Sequence, residues 1–213
     1  MKKLFILKLL LVLCMFLVWF YFYDKLPQTI PTHWWFDWRP DNMWDKLLHL
    51  VMFPFITLWL VLLFSFLPRL DPKKENYPKF EKTWEVFQFS LIWFFMYIYF
   101  VSIYAGFHQD LNMNKFMLSG IWVLFIILGN YMWKIRQNYF VWIKLPWTLA
   151  NEEVWNKTHR LWWRMFVLAG AIFIINAFLQ FNVVWILPTL IVLILVVPII
   201  YSYYIFKQLP DAR

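Results

Sequence analysis

The chain has 213 residues, of which 63% are hydrophobic, compared with roughly 45–50% in soluble globular proteins. Charged residues make up only 15%, too few to cover the surface of a globule of this size, so the composition argues against a water-soluble fold and leaves a membrane protein. The formal net charge is +8, and the single cysteine excludes a disulfide framework.

Six apolar stretches are long enough to cross a hydrocarbon core, which needs roughly 17–25 helical residues. They run from Leu4 to Tyr23, Leu47 to Leu67, Val86 to Phe107, Phe116 to Trp133, Met165 to Phe181 and Val183 to Phe206. Lipid offers no hydrogen-bond partner to the backbone, so each stretch must bond its own amides as a helix. We therefore predict an all-α polytopic membrane bundle of six transmembrane helices, with Lys8 snorkelling from the first helix towards water.

The connection between the first two stretches, residues 24–46, is rich in proline and tryptophan. Pro27, Pro31 and Pro40 favour extended geometry in the residues before them. The tryptophans suit either the aromatic belt at a membrane interface or a surface that contacts a ligand. We expect this outer loop to form a rigid aromatic lid at the interface.

Lys and Arg are distributed unequally between alternate connections. The two termini and the second and fourth connections hold sixteen of the 20 basic residues. Cytoplasmic loops are enriched in these residues, so we predict that both termini lie in the cytoplasm and that the protein resides in the cytoplasmic membrane. The positive charge then indicates topology and attraction to anionic lipid of the bilayer. We expect no direct nucleic acid binding, because the cations are divided among short loops.

The fourth connection, here called the inner loop (residues 134–164), contains signals for a short surface helix. Thr148 or Asn151 can cap its start, and Glu152 and Glu153 suit the positive end of the helix dipole. One face of this helix is predicted at three- and four-residue spacing and consists of Val154, Trp155, Thr158, Leu161 and Trp162. The helix is expected to lead into the fifth crossing.

Catalytic motifs are missing from the sequence. The four histidines belong to no His-Glu-x-x-His motif, and there is no cysteine cluster or Gly-x-Ser-x-Gly. We predict a protein that is not an enzyme and needs no cofactor or metal. The enzyme alternative requires His33, Asp37 and His108 to converge on one metal ion, within ligand distance of a single point.

A transporter or channel component is the second alternative. Ion-coupled transporters place charged side chains at membrane depth, whereas the middle of each apolar stretch in this chain has none. Asn130 and Asn176 are the polar residues near which a path between helices would form. A dry, closed core at these residues would argue against transport.

Several segments resemble the bacterial sporulation-delaying-protein immunity (SdpI) family. The outer loop resembles the short module of unknown function that opens many of these proteins, through Pro27, Pro31, His33, Pro40 and Asp41. The strongest similarity lies later, at Gly129, Asn130, Asn138, Pro146, Trp147, Thr148, Trp155, Thr158, His159 and Arg160. The resemblance divides the chain into an N-terminal module, residues 1–67, and an SdpI-like region, residues 68–213.

This resemblance implies an integral membrane protein that protects a cell from a secreted toxic peptide. It also implies a receptor that holds a cytoplasmic DNA-binding repressor at the membrane when toxin is present. The outer lid is then expected to meet the peptide, and the inner loop the repressor. The motif residues are equally compatible with a scaffold role, in which Asn130, Asn138 and Thr158 only cap helices or tie the loop to them.

The chain departs from the family pattern where that pattern has glycine. Tryptophan stands at Trp38, at Trp142 and at Trp162 or Trp163, and the whole chain has 16 Trp but only 4 Gly. Glycine at such positions would allow a positive φ or a close backbone approach. One hypothesis is that the source organism reads UGA as glycine, and the alternative is genuine substitution. UGG codons at these positions would rule out the first.

Overall fold

The computed structural model describes residues 2–34, 40–108, 113–179 and 188–209. Its helices are α1 (Lys2–Phe22), α2 (Lys46–Leu70), α3 (Glu81–Phe107), α4 (Met113–Met132), α5 (Pro146–Ala150), α6 (Glu152–Leu179) and α7 (Pro188–Gln208). A 3₁₀ helix, Lys74–Phe80, precedes α3, and strands β1 (Thr29–Trp34) and β2 (Pro40–Asp45) form one antiparallel hairpin. The helical bundle is thus as predicted, and the hairpin is an addition to it.

The chain forms two compact units. The amino-terminal unit consists of Met1–Phe66 and Gln88–Ile121, and the carboxyl-terminal unit consists of Leu67–Phe87 and Trp122–Arg213. The division between family modules at residue 67 stays a prediction.

Among the described residues, four helices are long and apolar enough to cross a membrane: Lys3–Phe22, Lys46–Leu70, Lys74–Phe107 and Pro188–Gln208. Large apolar side chains on them are exposed, as with Phe20 (84%) and Ile200 (63%). Because contiguous exposed apolar surface is unfavourable in water, lipid is the solvent that suits these helices. In α4 the apolar segment, Ser119–Met132, is shorter. Six crossings and cytoplasmic termini stay predictions.

In the amino-terminal unit, α1 packs through a single stripe. Lys8, Val12 and Met15 are buried at four- and three-residue spacing. The Lys8 Nζ donates to Gln88 Oε1 at 2.7 Å and lies 5.1 Å from the centre of the Phe89 ring. The expected snorkelling of Lys8 is therefore wrong, because its place on the packed stripe directs the ammonium group towards α3.

The described part of the outer loop forms the hairpin. Thr29 pairs with Asp45, and the register shifts between Pro31 and Trp34, where Pro31 has no N–H to give to a ladder. Ile30 at its base is fully buried. Asp45 Oδ1 accepts the Leu47 N–H at 2.8 Å and so caps the start of α2. The expected extended geometry is confirmed at Ile30 in β1, whereas Arg39 lies outside the described residues. The role of a lid stays a prediction.

In the carboxyl-terminal unit, α7 contains a π turn at Val192–Val196. The turn ends two residues before Pro198, whose ring nitrogen has no hydrogen for the carbonyl of Ile194. The wider turn is a common way for a helix to accommodate a missing bond.

Candidate functional site

The inner loop holds most of the family-motif residues, and the structure buries the majority of them. The exposed fraction is 0% for Asn138, Thr148, Trp155 and Thr158, and 1% for His159. The contacts of these side chains therefore lie within the carboxyl-terminal unit, where their partners are backbone groups and neighbouring rings.

Asn138 shapes the first turn of the inner loop. Its Oδ1 accepts the N–H groups of Phe140 at 3.0 Å and Val141 at 2.8 Å, and its Nδ2 donates to the Arg136 carbonyl at 3.0 Å. An asparagine that bonds the backbone two residues ahead is a standard turn former.

Helix α5 follows, and Pro146 occupies its first turn, where a missing N–H costs nothing. The Thr148 Oγ1 accepts the Leu145 N–H at 2.9 Å and lies 2.9 Å from the Ile143 carbonyl oxygen. The Trp147 Nε1 donates to Ser202 Oγ at 2.8 Å. These bonds join α5 to the loop before it and to α7.

The start of α6 carries the next group of motif residues. Asn151 Oδ1 accepts the N–H groups of Glu153 at 2.8 Å and Val154 at 3.1 Å, so Asn151 is the predicted cap. The Trp155 Nε1 donates to the Ile135 carbonyl at 2.9 Å. The expected short surface helix is in fact the first part of α6, which continues without interruption to Leu179.

His159 connects the inner loop to α6 through hydrogen bonds. Its Nδ1 donates to the Trp155 carbonyl at 2.7 Å, and its Nε2 accepts the Ile143 N–H at 3.3 Å. These two bonds require the neutral ring with its hydrogen on Nδ1. Burial lowers the pKa of His159 from 6.5 to about 4, although the bond to Trp155 acts in the opposite direction.

Acid is expected to destabilise the carboxyl-terminal unit through His159. Because the pKa of His159 is lower in the folded chain, its contribution to stability is present above about pH 6.5 and is lost towards pH 4. The slope is at most about 1.4 kcal/mol per pH unit. Unfolding measured at several pH values should show a smaller acid loss in His159→Gln than in the unmodified chain. Equal losses would contradict this prediction.

Asp71, which the sequence analysis did not select, has a central position in this unit. It is 2% exposed and accepts hydrogen bonds from the Tyr77 hydroxyl at 3.0 Å, the Lys73 N–H at 2.8 Å and the Tyr139 N–H at 3.0 Å. The available signal was the Asp-Pro dipeptide at residues 71–72, which favours a turn. Asp71 connects the segment before α3 to the inner loop.

Gln137 is a second residue of this network that the sequence analysis did not select. Its Nε2 donates to the carbonyls of Thr148 at 2.7 Å and Leu149 at 2.9 Å, and its Oε1 accepts from Lys73 Nζ. The Asn76 Nδ2 donates to the Gln137 carbonyl at 2.9 Å. A glutamine among loop residues gives no signal in a single sequence, because its partners are distant backbone groups.

Three motif residues lie outside this network of hydrogen bonds. Gly129 is buried, and a Cβ at this position would lie 3.4 Å from Phe166 Cβ, so glycine allows α4 and α6 to pack closely. Asn130 is exposed, and its Nδ2 donates to the Ile126 carbonyl of its own helix at 2.8 Å. Arg160 is exposed. The side chain of Asn176 lies outside the described part of the chain.

The outer motif residues lie in or beside the hairpin. Pro27 and His33 are exposed and Pro31 is buried, while Pro40 pairs with Trp34 through the backbone. Asp41 belongs to β2, and Asp37 lies outside the described residues. Within the described ranges, no three His, Cys, Asp or Glu side chains form a group that could hold a metal.

Residues 134–202 match the model of the SdpI/YfhL protein family, and residues 10–58 match a domain of unknown function, DUF1648. This part of the chain is therefore similar to the SdpI/YfhL family. It is also 25% identical over 209 residues to Immunity protein SdpI of Bacillus subtilis (strain 168), with 98% of each chain covered. The resemblance is thus confirmed, and with the apolar helices it makes this a multi-pass membrane protein. No solved structure is significantly similar.

One of the tryptophans that depart from the SdpI pattern has a backbone that favours glycine. Trp142 has φ of 77°, the sole positive φ of a non-glycine residue in the described chain. Its indole packs edge-on against Phe87 and Trp162, and the Nε1 atoms of Trp142 and Trp162 are buried without a hydrogen-bond partner. Trp162 and Trp163 are helical, so positive φ gives no reason for glycine there, and Trp38 lies outside the described residues.

The Trp142→Gly variant is expected to be more stable than the Trp142→Ala variant. Both Trp142→Gly and Trp142→Ala remove the indole, so they differ only in whether a Cβ must adopt positive φ, which costs about 1–2 kcal/mol. Unfolding of the two variants should therefore favour glycine by about 1 kcal/mol. At Trp59, an exposed position in α2, the order should reverse, because glycine is the poorer helix former. Equal stability at position 142 would refute the backbone argument.

Proposed function

We propose that this chain is a membrane immunity protein that protects a cell against a secreted toxic peptide. The observation that carries the proposal is the similarity to Immunity protein SdpI along 98% of both chains. The positive-inside distribution of Lys and Arg supports an orientation with the hairpin outside and the inner loop in the cytoplasm. The proposed topology has six crossings with both termini inside.

The hairpin is the proposed contact region for the toxic peptide. It would lie at the outer end of the amino-terminal unit, and His33 in the hairpin and Pro27 just before it are exposed. Exposed apolar side chains, such as Met43 (42%) and Leu48 (56%), border the first turn of α2. A peptide that acts on membranes would meet this mixed polar and apolar surface as it enters the outer leaflet.

The inner loop is the proposed contact region for a cytoplasmic repressor. Its motif residues are mostly buried, so the contact would fall to exposed basic side chains, namely Arg136, Lys144 and Arg160. Arg136 lies 3.7 Å from Glu152, a distance at which an exposed pair adds little stability. The internal hydrogen bonds would hold these cations in a fixed arrangement for an acidic partner surface.

The immunity proposal is tested by expression in a bacterium that is killed by the sporulation-delaying peptide. Growth should be restored when the chain is present and lost with an empty vector. The amount of protein in the membrane fraction must be measured alongside growth. Full sensitivity in cells whose membranes contain the chain would contradict the proposal.

A growth assay in the same cells distinguishes an immunity protein from a transporter. An immunity protein should protect against the sporulation-delaying peptide and leave sensitivity to unrelated membrane-active peptides unchanged. Resistance to many unrelated compounds would instead favour the transporter alternative.

The proposed binding of a repressor is tested separately. A fluorescent fusion of a small repressor encoded beside this gene should move to the membrane when toxin is added. Arg160→Glu with Lys144→Glu should abolish the movement and leave immunity unchanged. Lys207→Glu, a cation at the end of α7, is the matched control. If the repressor fusion still moves to the membrane in the variant with both charges reversed, the inner loop is excluded as its docking surface.

A further inference from the structure

A chain of buried hydrogen bonds crosses three helices of the amino-terminal unit. The Tyr99 hydroxyl on α3 donates to the Met15 carbonyl on α1 at 3.2 Å. The Ser102 hydroxyl donates to the Tyr99 carbonyl at 2.7 Å, and Ser102 Oγ lies 2.7 Å from His49 Nε2 on α2. All four residues are 0–2% exposed.

The geometry fixes the tautomer of His49. Ser102 has one hydroxyl hydrogen and gives it to the Tyr99 carbonyl, so the hydrogen between Ser102 and His49 must come from Nε2. The Nδ1 atom is then an acceptor, and it is buried with no hydrogen-bond partner. A buried polar atom without a partner is uncommon and requires an explanation.

His49 is mechanically close to the hairpin. It lies in the first turn of α2, and β2 ends at Asp45, directly before that helix. The neighbouring Leu50 belongs, with Tyr99 and Ile103, to the apolar cluster that buries Leu26 and Ile30 at the hairpin base. Movement of the first turn of α2 would therefore disturb both the end of β2 and the packing under β1.

The charged and titratable groups around this cluster either bond other partners or are exposed. On α2, the Lys46 Nζ donates to the Tyr23 carbonyl at 2.9 Å. Asp45 accepts bonds from Gln28 Nε2 at 2.7 Å and from the Leu47 N–H. On α3 the titratable group that belongs to this cluster is Tyr99, whose hydroxyl is bonded to the Met15 carbonyl. After α1, Asp24 and Lys25 are exposed, as is His33 on β1. None of these groups bonds His49.

We propose that His49 is a proton-responsive latch that holds the hairpin closed while its ring is neutral. A second proton, taken from solvent onto Nδ1, creates an imidazolium whose new N–H has no acceptor in the closed arrangement. The ring must then turn out towards water, which breaks the bond to Ser102 and releases the first turn of α2. The latch concerns hairpin opening and stands independently of the toxin.

The test measures hydrogen exchange of the hairpin and the first turn of α2 in the full chain. The chain is placed in nanodiscs of phosphatidylglycerol and phosphatidylethanolamine, and rates are corrected for the intrinsic pH dependence of exchange. Protection of residues 26–34 and 40–50 should be constant above about pH 6.5, the ordinary pKa of histidine, and should fall progressively as the pH is lowered below that value. One coupled proton gives at most about a tenfold fall per pH unit. Protection that is independent of pH would overturn the proposal.

Two variants isolate His49. His49→Gln keeps an N–H donor for Ser102 but takes up no proton, so protection in this variant should not change with pH. His108→Gln removes an exposed histidine of the same unit and should behave like the unmodified chain. An acid response in His49→Gln equal to that of the unmodified chain would also overturn the proposal.

A further measurement covers the case in which His49→Gln does not fold. Nitrogen NMR of ¹⁵N-histidine in the unmodified chain distinguishes the two neutral tautomers. At about pH 8 the hydrogen of His49 is expected on Nε2. A hydrogen on Nδ1 would remove the open acceptor on which the latch depends.

Discussion

Trp155→Ala is expected to destabilise the carboxyl-terminal unit by about 3–5 kcal/mol, the usual cost of truncating a buried tryptophan. Trp155 is completely buried, and its ring stacks on His159 with centroids 4.1 Å apart. Truncation leaves a cavity and also leaves the Ile135 carbonyl without its bond from Nε1. Denaturant titration in detergent micelles, followed by the loss of helical circular dichroism, measures the change.

Two matched variants divide this effect into its parts. Trp155→Phe keeps an aromatic ring but removes the N–H. In addition to the packing lost with the smaller ring, the loss of the hydrogen bond to the Ile135 carbonyl should lower the free energy of unfolding by about 1 kcal/mol. Trp133→Ala, at a position where 42% of the side chain is exposed, should cost about 0.5 kcal/mol or less. Similar losses for Trp155→Ala and Trp133→Ala would show that Trp155 is not part of the folded core.

Asp71→Ala is expected to cost about 3 kcal/mol, because hydrogen bonds to a buried charged group are strong and their donors would be left without partners. The carboxylate accepts three bonds, two of them from backbone N–H groups. Its removal should loosen the inner loop in particular. Faster hydrogen exchange at Tyr139, together with a lower free energy of unfolding, is the expected result.

Asp71→Asn and Glu75→Ala are the comparisons for this prediction. Asparagine keeps one acceptor oxygen and should retain part of the stability. Glu75 is an exposed acidic residue in the same segment, and its removal should cost about 0.5 kcal/mol or less. If Asp71→Ala were as mild as Glu75→Ala, the three bonds would have no importance for folding.

The sequence alone was sufficient for the positions of the long apolar helices. An apolar stretch in lipid must bond its own backbone, so composition and length define a helix without knowledge of its neighbours. The six predicted stretches coincide with helices over the described residues. The cap at Asn151 was also predictable, since it depends on amides two and three residues further along.

The candidate site was predictable only in part. The motif residues of the inner loop were identified by resemblance, whereas their burial and hydrogen bonds required the structure. Asp71 and Gln137 were missed because their partners lie 68 and 11 residues away in sequence, at Tyr139 and Thr148. Such contacts leave no periodic signal in a single chain.

For this protein, the sequence by itself determined a membrane environment, the long apolar helices and the resemblance to the SdpI family. The tertiary structure decided which polar groups are buried and with whom they bond: Lys8 with Gln88, His49 with Ser102, and His159 with the backbone of Ile143 and Trp155. The physical reason is that hydropathy depends on local composition, whereas the partner of a buried polar group depends on which helices pack together.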